Sequence, residues 1–508
     1  MSRQRVILVT ASIMLSLFMA SMEGTVVATA MPTIVGQLGG LAIYSWVFSA
    51  FMLASTTTVP VFGKLSDLYG RRPVYTVAMA LFLVGCILCG KAQSMPQLIT
   101  FRVVQGLGAG GLIPLAFILI GDMFTLEQRA KMQGLFSSVW GVSAIIGPLL
   151  GGFLVDQISW RWVFYINLVP GLLAAALVWL AWQDKAREFD AAAPKVDYAG
   201  AVLLTVGVVA LLTGLFELGT VWGWALLALA AVLLAGLVWV ERRAHDPILP
   251  LPLFRDRIFA TACSHGVLAG WAMFGSLSFV PLFVQAVIGT SATAAGATLT
   301  PMMLGWTFAS IIGSRLLLRL SYRTLALTGM GLLTLGAVLM TRIDVDARQI
   351  SLIVNLALMG VGMGLSVPAF LIAVQSTVRP HNMGVATSAI QFSRNIGGAL
   401  GVSVMGAALS VRLATRLAEA GLDPAAISVD SLLHPVARTV SSAVLEGSLR
   451  NALAGAMQGV FFIAFIAAAL GLVATAFAPR GRIDQLVAQR AGSEYRGQPT
   501  PARTRVSR

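Results

Sequence analysis

Charge is scarce in this sequence of 508 residues, of which only 11% are Asp, Glu, Lys or Arg. A soluble globular protein carries about a quarter charged residues, so this share is less than half of the usual one. In their place stand long apolar runs such as residues 199–216, and 57% of all residues are hydrophobic. Because lipid offers no partner for an unpaired backbone group, such runs predict membrane-spanning helices.

Cysteine is also scarce, with three residues in the chain. Cys86 and Cys89 form a CxxC pattern inside one apolar run, and Cys263 lies far from them. No second pair of ligands accompanies them, so the pattern favours packing residues over a metal site. We also find no phosphate-binding loop, nucleophile constellation or nucleotide-binding domain, and we therefore expect neither an enzyme nor an ATP-driven pump, and no cofactor.

Fourteen apolar segments are long enough to cross a bilayer as helices. The first follows Arg3 and Arg5, and it is too long for a cleaved signal peptide and lacks a small-residue cleavage site behind it. The predicted spans cover residues 7–31, 43–63, 74–90, 97–121, 131–155, 162–182, 198–218, 224–240, 259–288, 296–318, 324–341, 350–377, 384–409 and 457–478.

The formal net charge is +14, which in a soluble protein would suggest a nucleic-acid partner. Here most Lys and Arg residues fall between spans on the side of the N-terminus, as is typical of segments that stay in the cytoplasm. We therefore expect no nucleic-acid partner, and a multi-pass protein with both termini cytoplasmic. The preference for Arg over Lys, with abundant Ala and Gly, suggests a high-GC bacterium, and we expect the protein in the bacterial plasma (inner) membrane.

A charged turn, residues 63–73, follows the second span. Its two glycines permit a tight turn between helices. Its charged side chains can pair across a gate or with a helix end, whereas a merely basic loop would need neither the glycines nor the aspartate. The residues in question are Gly63, Asp67, Gly70, Arg71 and Arg72.

The fourth span opens with Arg102-Val-Val-Gln105-Gly106. An arginine within hydrocarbon is costly and indicates a functional residue by default. The structural alternative is a satisfied ion pair or a clamp on backbone carbonyl groups.

The fifth span combines a proline with flanking glycines. A proline inside a helix leaves a carbonyl unpaired and bends the axis, and glycines let a neighbouring helix pack against the bend. A generic kinked helix is the alternative interpretation. The pattern consists of Gly141, Gly147, Pro148, Gly151 and Gly152.

Taken together, these motifs resemble the major facilitator superfamily: its signature loop, its fourth-helix motif and its antiporter motif. The resemblance implies a role in proton coupling for Arg102, and export rather than import for the antiporter motif. With fourteen spans and the segments 160–167, 281–301 and 394–401, the chain resembles the 14-span drug:proton antiporters of the EmrB/QacA type over about residues 6–478.

This resemblance implies an all-α membrane protein with the major facilitator fold, built of two six-helix bundles and two inserted helices. We expect an N-terminal bundle at 1–185 and two inserted transmembrane helices with a cytoplasmic linker at 186–258. The C-terminal bundle follows at 259–478, with an external loop at 410–456. Residues 479–508 are polar and rich in Arg, Gly, Ser and Pro, which predicts a disordered basic cytoplasmic tail.

Glu23 lies in a segment that resembles the family's first-helix motif, where an Asp and an Asn are usual; here Glu23 and Ala28 replace them. At about 1.5 Å per residue, Glu23 and Arg102 lie roughly 12 and 8 Å from the outer ends of their spans. Burial favours a protonated carboxyl and a nearby arginine favours a carboxylate, so a pair balanced between these effects can exchange protons. A structural Glu23 bonded to the hydroxyl of Thr25 or Ser21 is the alternative.

The second bundle has no equivalent carboxylate. Its lone His265 is more typical of a packing residue, and Arg394 either pairs with another group or lines a cavity. An apolar pocket with a few polar anchors suits an exporter, although each candidate is also compatible with facing lipid or a neighbouring helix. The candidates for substrate binding are Trp46, Phe51, Gln105, Phe274, Phe279, Gln285, Trp306 and Arg394.

The sequence thus predicts a proton-coupled antiporter that exports hydrophobic drugs or toxic small molecules by alternating access, with the proton gradient as energy source. Lipophilic monocations, zwitterions and neutral compounds fit one buried acid, and the bilayer is the other partner. A dedicated exporter of one metabolite, antibiotic or lipid is the nearest alternative. A non-transporting receptor or assembly subunit is a different class, and the need for a periplasmic adaptor stays open.

Overall fold

The computed structural model describes residues 2–39, 43, 46–182, 197–244, 247–249, 251–290, 292–419 and 443–486. Within these ranges the regular secondary structure is helical, with no strand. The α-helices are α1 (Arg3–Leu38), α2 (Trp46–Tyr69), α3 (Arg71–Gly90), α4 (Met95–Met123), α5 (Leu126–Gln157), α6 (Trp162–Tyr165), α7 (Leu168–Ala181), α8 (Tyr198–Phe216), α9 (Val221–Glu241), α10 (Arg257–Phe283), α11 (Ala292–Leu316), α12 (Tyr322–Met340), α13 (Gln349–Thr377), α14 (Met383–Glu419) and α15 (Ala443–Ala476). A π-turn, Val284–Ile288, extends α10.

Thirteen helices of the described ranges are long and apolar enough to cross a membrane, counting α6 and α7 as one span, Trp162–Ala181. The remaining long helix, α5, has 32 residues and packs along α1 and α11. These segments follow the predicted order of spans. The prediction of an all-helical, multi-pass membrane protein is therefore confirmed.

Several predicted boundaries differ from the structure, most of all at the end of α1, the end of α14 and the start of α15. α1 continues past its apolar span, which ends at Met31, to Leu38. The predicted external loop 410–456 is helical at both of its ends, because α14 extends to Glu419 and α15 begins at Ala443, and residues 420–442 lie outside the described ranges. The added parts of α14 and α15 contain charged residues, which lower the hydropathy of a segment but have good helix propensity.

The buried side chains form two large clusters and one small one. The first cluster joins α1–α7 to the starts of α10, α12 and α14 and the end of α13. The second lies within α10–α15, and the third seats α8 and α9 against α2 and α14. Residues 183–196 of the predicted linker and 487–508 of the predicted tail lie outside the described ranges, and the division into domains stays a prediction.

One end of the bundle, which we call the signature face, is where α2 turns into α3. Gly70 makes this turn with a φ of 94°, a left-handed conformation that costs glycine little and other residues more. The start of α14 lies at the same face, because the Gly384 amide donates a hydrogen bond to Asp67 there. The first and second halves of the chain therefore meet at the signature face.

Close backbone contact holds α12 against α13. A Cβ atom added at Gly329 would lie 2.5 Å from the carbonyl oxygen of Gly362, and one added at Gly362 would lie 2.5 Å from that of Gly329. Since lipid supplies no hydrophobic drive between helices, such small residues let the backbones approach and gain packing contacts.

We expect Gly329→Leu to destabilise the protein by roughly 1–3 kcal/mol or more, because the new side chain overlaps backbone atoms of α13. Gly331→Leu on the same helix is the matched control, since a Cβ atom there meets nothing within 4 Å. Apparent Tm values of the purified variants check the prediction. Equal Tm values for the two variants would contradict the close contact.

Candidate functional site

Glu23 on α1 and Arg102 on α4 form a buried ion pair. Arg102 Nη1 donates a hydrogen bond of 2.5 Å to Glu23 Oε1, and each side chain is 1% exposed. Arg102 Nε also donates to the Val47 carbonyl oxygen at 3.1 Å. Both structural interpretations of Arg102, an ion pair and a carbonyl clamp, thus describe part of its surroundings.

Two amide side chains complete the surroundings of the Glu23 carboxylate. Gln105 Nε2 donates to Glu23 Oε1 at 2.9 Å, and Asn167 Nδ2 donates to Glu23 Oε2 at 3.0 Å. The hydroxyls of Ser21 and Thr25 donate instead to backbone carbonyl oxygens of α1. The carboxylate is therefore held by side chains of other helices and not by its own hydroxyl neighbours.

Asn167, at the junction of α6 and α7, is a site residue that the sequence analysis did not single out. It is buried, and its Oδ1 atom has no hydrogen-bond partner in the described part of the chain. The available signal was an amide inside an apolar span, at the end of the segment 160–167. Sequence alone does not tell such an amide from a capping residue.

The two cysteines of the CxxC pattern pack against this site. Gln105 Nε2 lies 3.2 Å from the sulfur of Cys86, and the Cys89 thiol lies 3.8 Å from Gln105 Oε1. A Cβ atom at Gly85 would overlap the Gln105 backbone, so α3 and α4 are in close contact here. The thiols thus pack, as the sequence suggested, and they also hold the amide of Gln105 in place.

The eight candidate pocket residues lie in different parts of the protein. Gln105 and Phe51 belong to the Glu23 site, because the Arg102 guanidinium carbon lies 4.1 Å from the centre of the Phe51 ring. Trp46 packs in the cluster of the inserted helices. In the second half, the Arg394 guanidinium carbon lies 5.9 Å from the Trp306 ring.

The remaining three candidates are half-buried on α10 and its π-turn. Phe274 packs against Gly398 and Phe279 against Gly406, both on α14. Gln285 lies in the π-turn. These positions keep all three away from the Glu23 carboxylate and within the second half.

At the signature face, Asp67 joins the two halves directly. It accepts hydrogen bonds from the backbone amides of Gly384 at 3.0 Å and Val385 at 2.8 Å, in the first turn of α14. A carboxylate is favourable at this position because the start of a helix carries unpaired N–H groups and partial positive charge.

Arg71 fixes the orientation of Asp67. Its Nη1 atom donates to Asp67 Oδ1 at 2.6 Å, and its Nε atom donates to Asp122 of α4 at 2.7 Å. Arg72 stacks on the Trp179 ring of α7, with its guanidinium carbon 3.9 Å from the ring centre. The backbones of α2 and α14 are also close, since a Cβ atom at Gly384 would lie 2.5 Å from the Gly63 carbonyl oxygen.

The glycine motif places α5 between the two halves. Cβ atoms at Gly147 and Gly151 would overlap the hydroxyls of Thr25 and Thr29 on α1, and Gly141 faces Thr307 of α11. A Cβ atom at Gly152 would meet nothing within 4 Å. The side chain of Pro148 lies outside the described part of the chain.

A hydrogen bond between halves accompanies the glycine contacts. Ser137 Oγ on α5 donates to Ser310 Oγ on α11 at 2.6 Å. Both residues lie nearer to the signature face than Gly141 and Thr307. By contrast, Gly24, beside Glu23, is exposed, and a Cβ atom there would meet nothing within 4 Å. The halves are thus pressed together at the signature face, while α1 has open space beside Glu23.

Comparison with known proteins gives a consistent result. The model of the Major Facilitator Superfamily matches residues 13–402. Multidrug transporter protein MdtP of Bacillus subtilis is 38% identical over 464 residues, which cover 90% of this chain and 84% of that protein. Multidrug resistance protein 3 of the same organism is 38% identical over 404 residues, covering 78% of each chain. The solved structure of the proton:xylose symporter XylE shares the fold with a TM-score of 0.63 at 11% identity, covering 96% of this chain and 100% of that one.

We expect Arg102→Met to destabilise the protein, because it leaves Glu23 buried without its cation, a loss of about 3–5 kcal/mol for buried pairs. The double variant Glu23→Gln/Arg102→Met removes both charges and should have a higher apparent Tm than Arg102→Met alone. Arg342→Met, at an exposed arginine, serves as the control. A double variant no more stable than the single one would contradict a coupled pair.

We expect Asp67→Asn to loosen the contact between halves, because an amide binds the start of α14 and Arg71 less strongly than a carboxylate. The measure is disulfide yield between cysteines placed at Ser137 and Ser310, in a chain whose native cysteines are replaced by alanine. The yield should fall in Asp67→Asn and stay unchanged in Glu127→Gln, an exposed carboxylate near the same face. An unchanged disulfide yield in both variants would contradict a role for Asp67 in holding the two halves together.

Proposed function

The chain belongs to the Major Facilitator Superfamily, and we propose that it exports hydrophobic drugs or other toxic small molecules across the plasma membrane in exchange for protons. The two multidrug relatives support export. The observation that carries proton exchange is the Glu23 carboxylate, which is buried in a span and paired with Arg102. A buried carboxylate within a membrane is typical of proton pathways.

Glu23 acts as the proton carrier in this mechanism. As a carboxylate it accepts three hydrogen bonds, from Arg102, Gln105 and Asn167. A proton that binds Glu23 removes the negative charge, so the attraction to Arg102 falls and the donors rearrange. Substrate and proton then favour different arrangements of the same helices, which is what exchange requires.

The contacts between halves supply the alternating access. The signature face is cytoplasmic in our proposal, since basic residues gather there. The bonds of Asp67 to α14 and of Ser137 to Ser310 close that side. Protonation of Glu23 alters these contacts between the halves through α5. The glycines of α5 contact α1 on one side and Thr307 of α11 on the other.

The test is dye efflux by everted vesicles with an imposed pH gradient. Native protein should accumulate a lipophilic dye, and Glu23→Gln should abolish accumulation driven by the gradient, because an amide cannot take up and release a proton. Glu217→Gln, at an exposed carboxylate at the end of α8, is the control and should behave as the native protein.

Uphill transport by Glu23→Gln in response to the pH gradient would refute coupling at this residue. Resistance to a single compound on expression, without efflux of any lipophilic dye, would point to a dedicated exporter of one substrate instead.

A further inference from the structure

Arg394 is a cation inside a membrane-spanning helix, and none of the ion pairs of the described residues includes it. Its side chain is half-buried, and its Nε atom is buried without a hydrogen-bond partner in the described ranges. Helices α10 to α13 contain no Asp or Glu, and α14 and α15 have one each, Glu419 and Glu446, at the ends that their connecting segment joins. The acids of α2 and α4, Asp67 and Asp122, are paired with Arg71 at the signature face. An arginine at this depth is costly unless an anion or carbonyl groups compensate its charge.

The position of Arg394 on α14 directs it into the protein. Phe392, Ile396 and Ala399 lie on the face of α14 that packs against the inserted helices. Arg394 is two residues from Phe392, and two residues turn an α-helix by about 200°. Arg394 is therefore on the opposite face of α14, the side that faces α10, where Gly266 and Gly270 approach the Arg394 backbone.

Trp306 of α11 lies on this inner side. The Arg394 guanidinium carbon is 5.9 Å from the centre of the half-buried Trp306 ring. The next residue, Thr307, contacts Gly141 of α5 across the two halves. Arg394 and Trp306 thus lie close to the seam between the halves, where an alternating-access transporter holds its substrate.

Helix α10 brings further polar atoms that lack partners to the same bundle. His265 is buried, and its Nε2 atom has no partner in the described part of the chain, nor has the Nε1 atom of Trp271. The indole N–H of Trp271 is a donor only. The second half therefore offers an unpaired indole donor, an unpaired imidazole nitrogen and a positive charge, whereas the charge of Arg102 in the first half is already paired.

The balance of charges follows from these contacts. Glu23 neutralises Arg102, and Arg394 adds one positive charge that no described acid compensates. Protonation of Glu23 makes this excess larger. An interior of this kind attracts acidic and zwitterionic compounds and repels simple cations.

We propose that Arg394 and Trp306 form the binding site for the acidic group of an aromatic, amphipathic substrate, with a carboxylate as the typical anion. The planar guanidinium can bind two carboxylate oxygens at once, and the indole ring offers a stacking surface to the aromatic part. The site deepens the proposed function and rests on it: it narrows the exported compounds toward aromatic acids and zwitterions.

Binding of naphthylacetate and of its neutral isostere naphthylacetamide to the full chain in lipid nanodiscs tests this site. We expect the native protein to bind the carboxylate roughly tenfold or more tightly than the amide, the usual effect of a charge-assisted hydrogen bond. Arg394→Gln should bind both compounds equally. Arg394→Lys should keep part of the preference, because lysine retains the positive charge but lacks the planar guanidinium that can bind two carboxylate oxygens at once. Arg412→Gln, at an exposed arginine of the same helix, should keep all of it.

Equal binding of the two compounds by the native protein, or a full preference in Arg394→Gln, would overturn the site. Proton-driven efflux of a neutral dye by everted vesicles that contain the same variants separates this result from the proposed function. Dye efflux without carboxylate preference would refute the site and leave the exporter intact. Carboxylate preference lost in Arg394→Gln, without any proton-driven efflux, would support the site and refute the exporter.

Discussion

The buried ion pair of Glu23 and Arg102 is the constraint around which the first half is arranged. Removing two charges from water costs several kcal/mol per ion, and the attraction between them compensates only when the remaining donors and acceptors are satisfied. Gln105 and Asn167 supply those bonds, and Cys86 and Cys89 pack behind Gln105. The positions of α1, α3, α4 and the α6–α7 junction therefore depend on one carboxylate, so a change in its charge affects all of them at once.

Two chains of contacts connect this pair to the signature face. One runs from α1 through the glycines of α5 to Thr307 and Ser310 of α11. The other runs along α4 from Arg102 to Asp122, which binds Arg71 and through it Asp67 at the start of α14. Both consist of packed backbones and short hydrogen bonds, which have few intermediate arrangements. A two-state response of the halves to protonation is consistent with such contacts.

The sequence predicted much of this architecture because its strongest signal is the near absence of charged residues from the apolar segments. Charges are so rare in the apolar segments that Glu23 and Arg102 stand out, and the structure brings them into contact. Asn167 did not stand out, because an amide inside a span has many possible partners and its role depends on how α6 and α7 meet α1. The end of α14 and the start of α15 were misplaced because hydropathy measures burial in lipid, whereas a charged helix such as that around Arg416 continues beyond it. Trp46 was grouped with pocket residues because an aromatic side chain gives no sign of which neighbour it packs against; in the structure it faces the inserted helices.

The two halves differ most in the surroundings of the arginine that each holds inside a membrane-spanning helix. In the first half, Arg102 is enclosed by an acid, an amide, a carbonyl group and an aromatic ring. In the second half, Arg394 has an aromatic ring and no described acid. A proton carrier needs its counter-ion within the protein, because the carboxylate must be stable while the proton is absent. A substrate site needs the opposite, an incomplete set of partners that the passing molecule completes and then releases. In the proposed mechanism, the paired and the unpaired arginine divide these tasks between the two halves, and the α5–α11 contact lies between them.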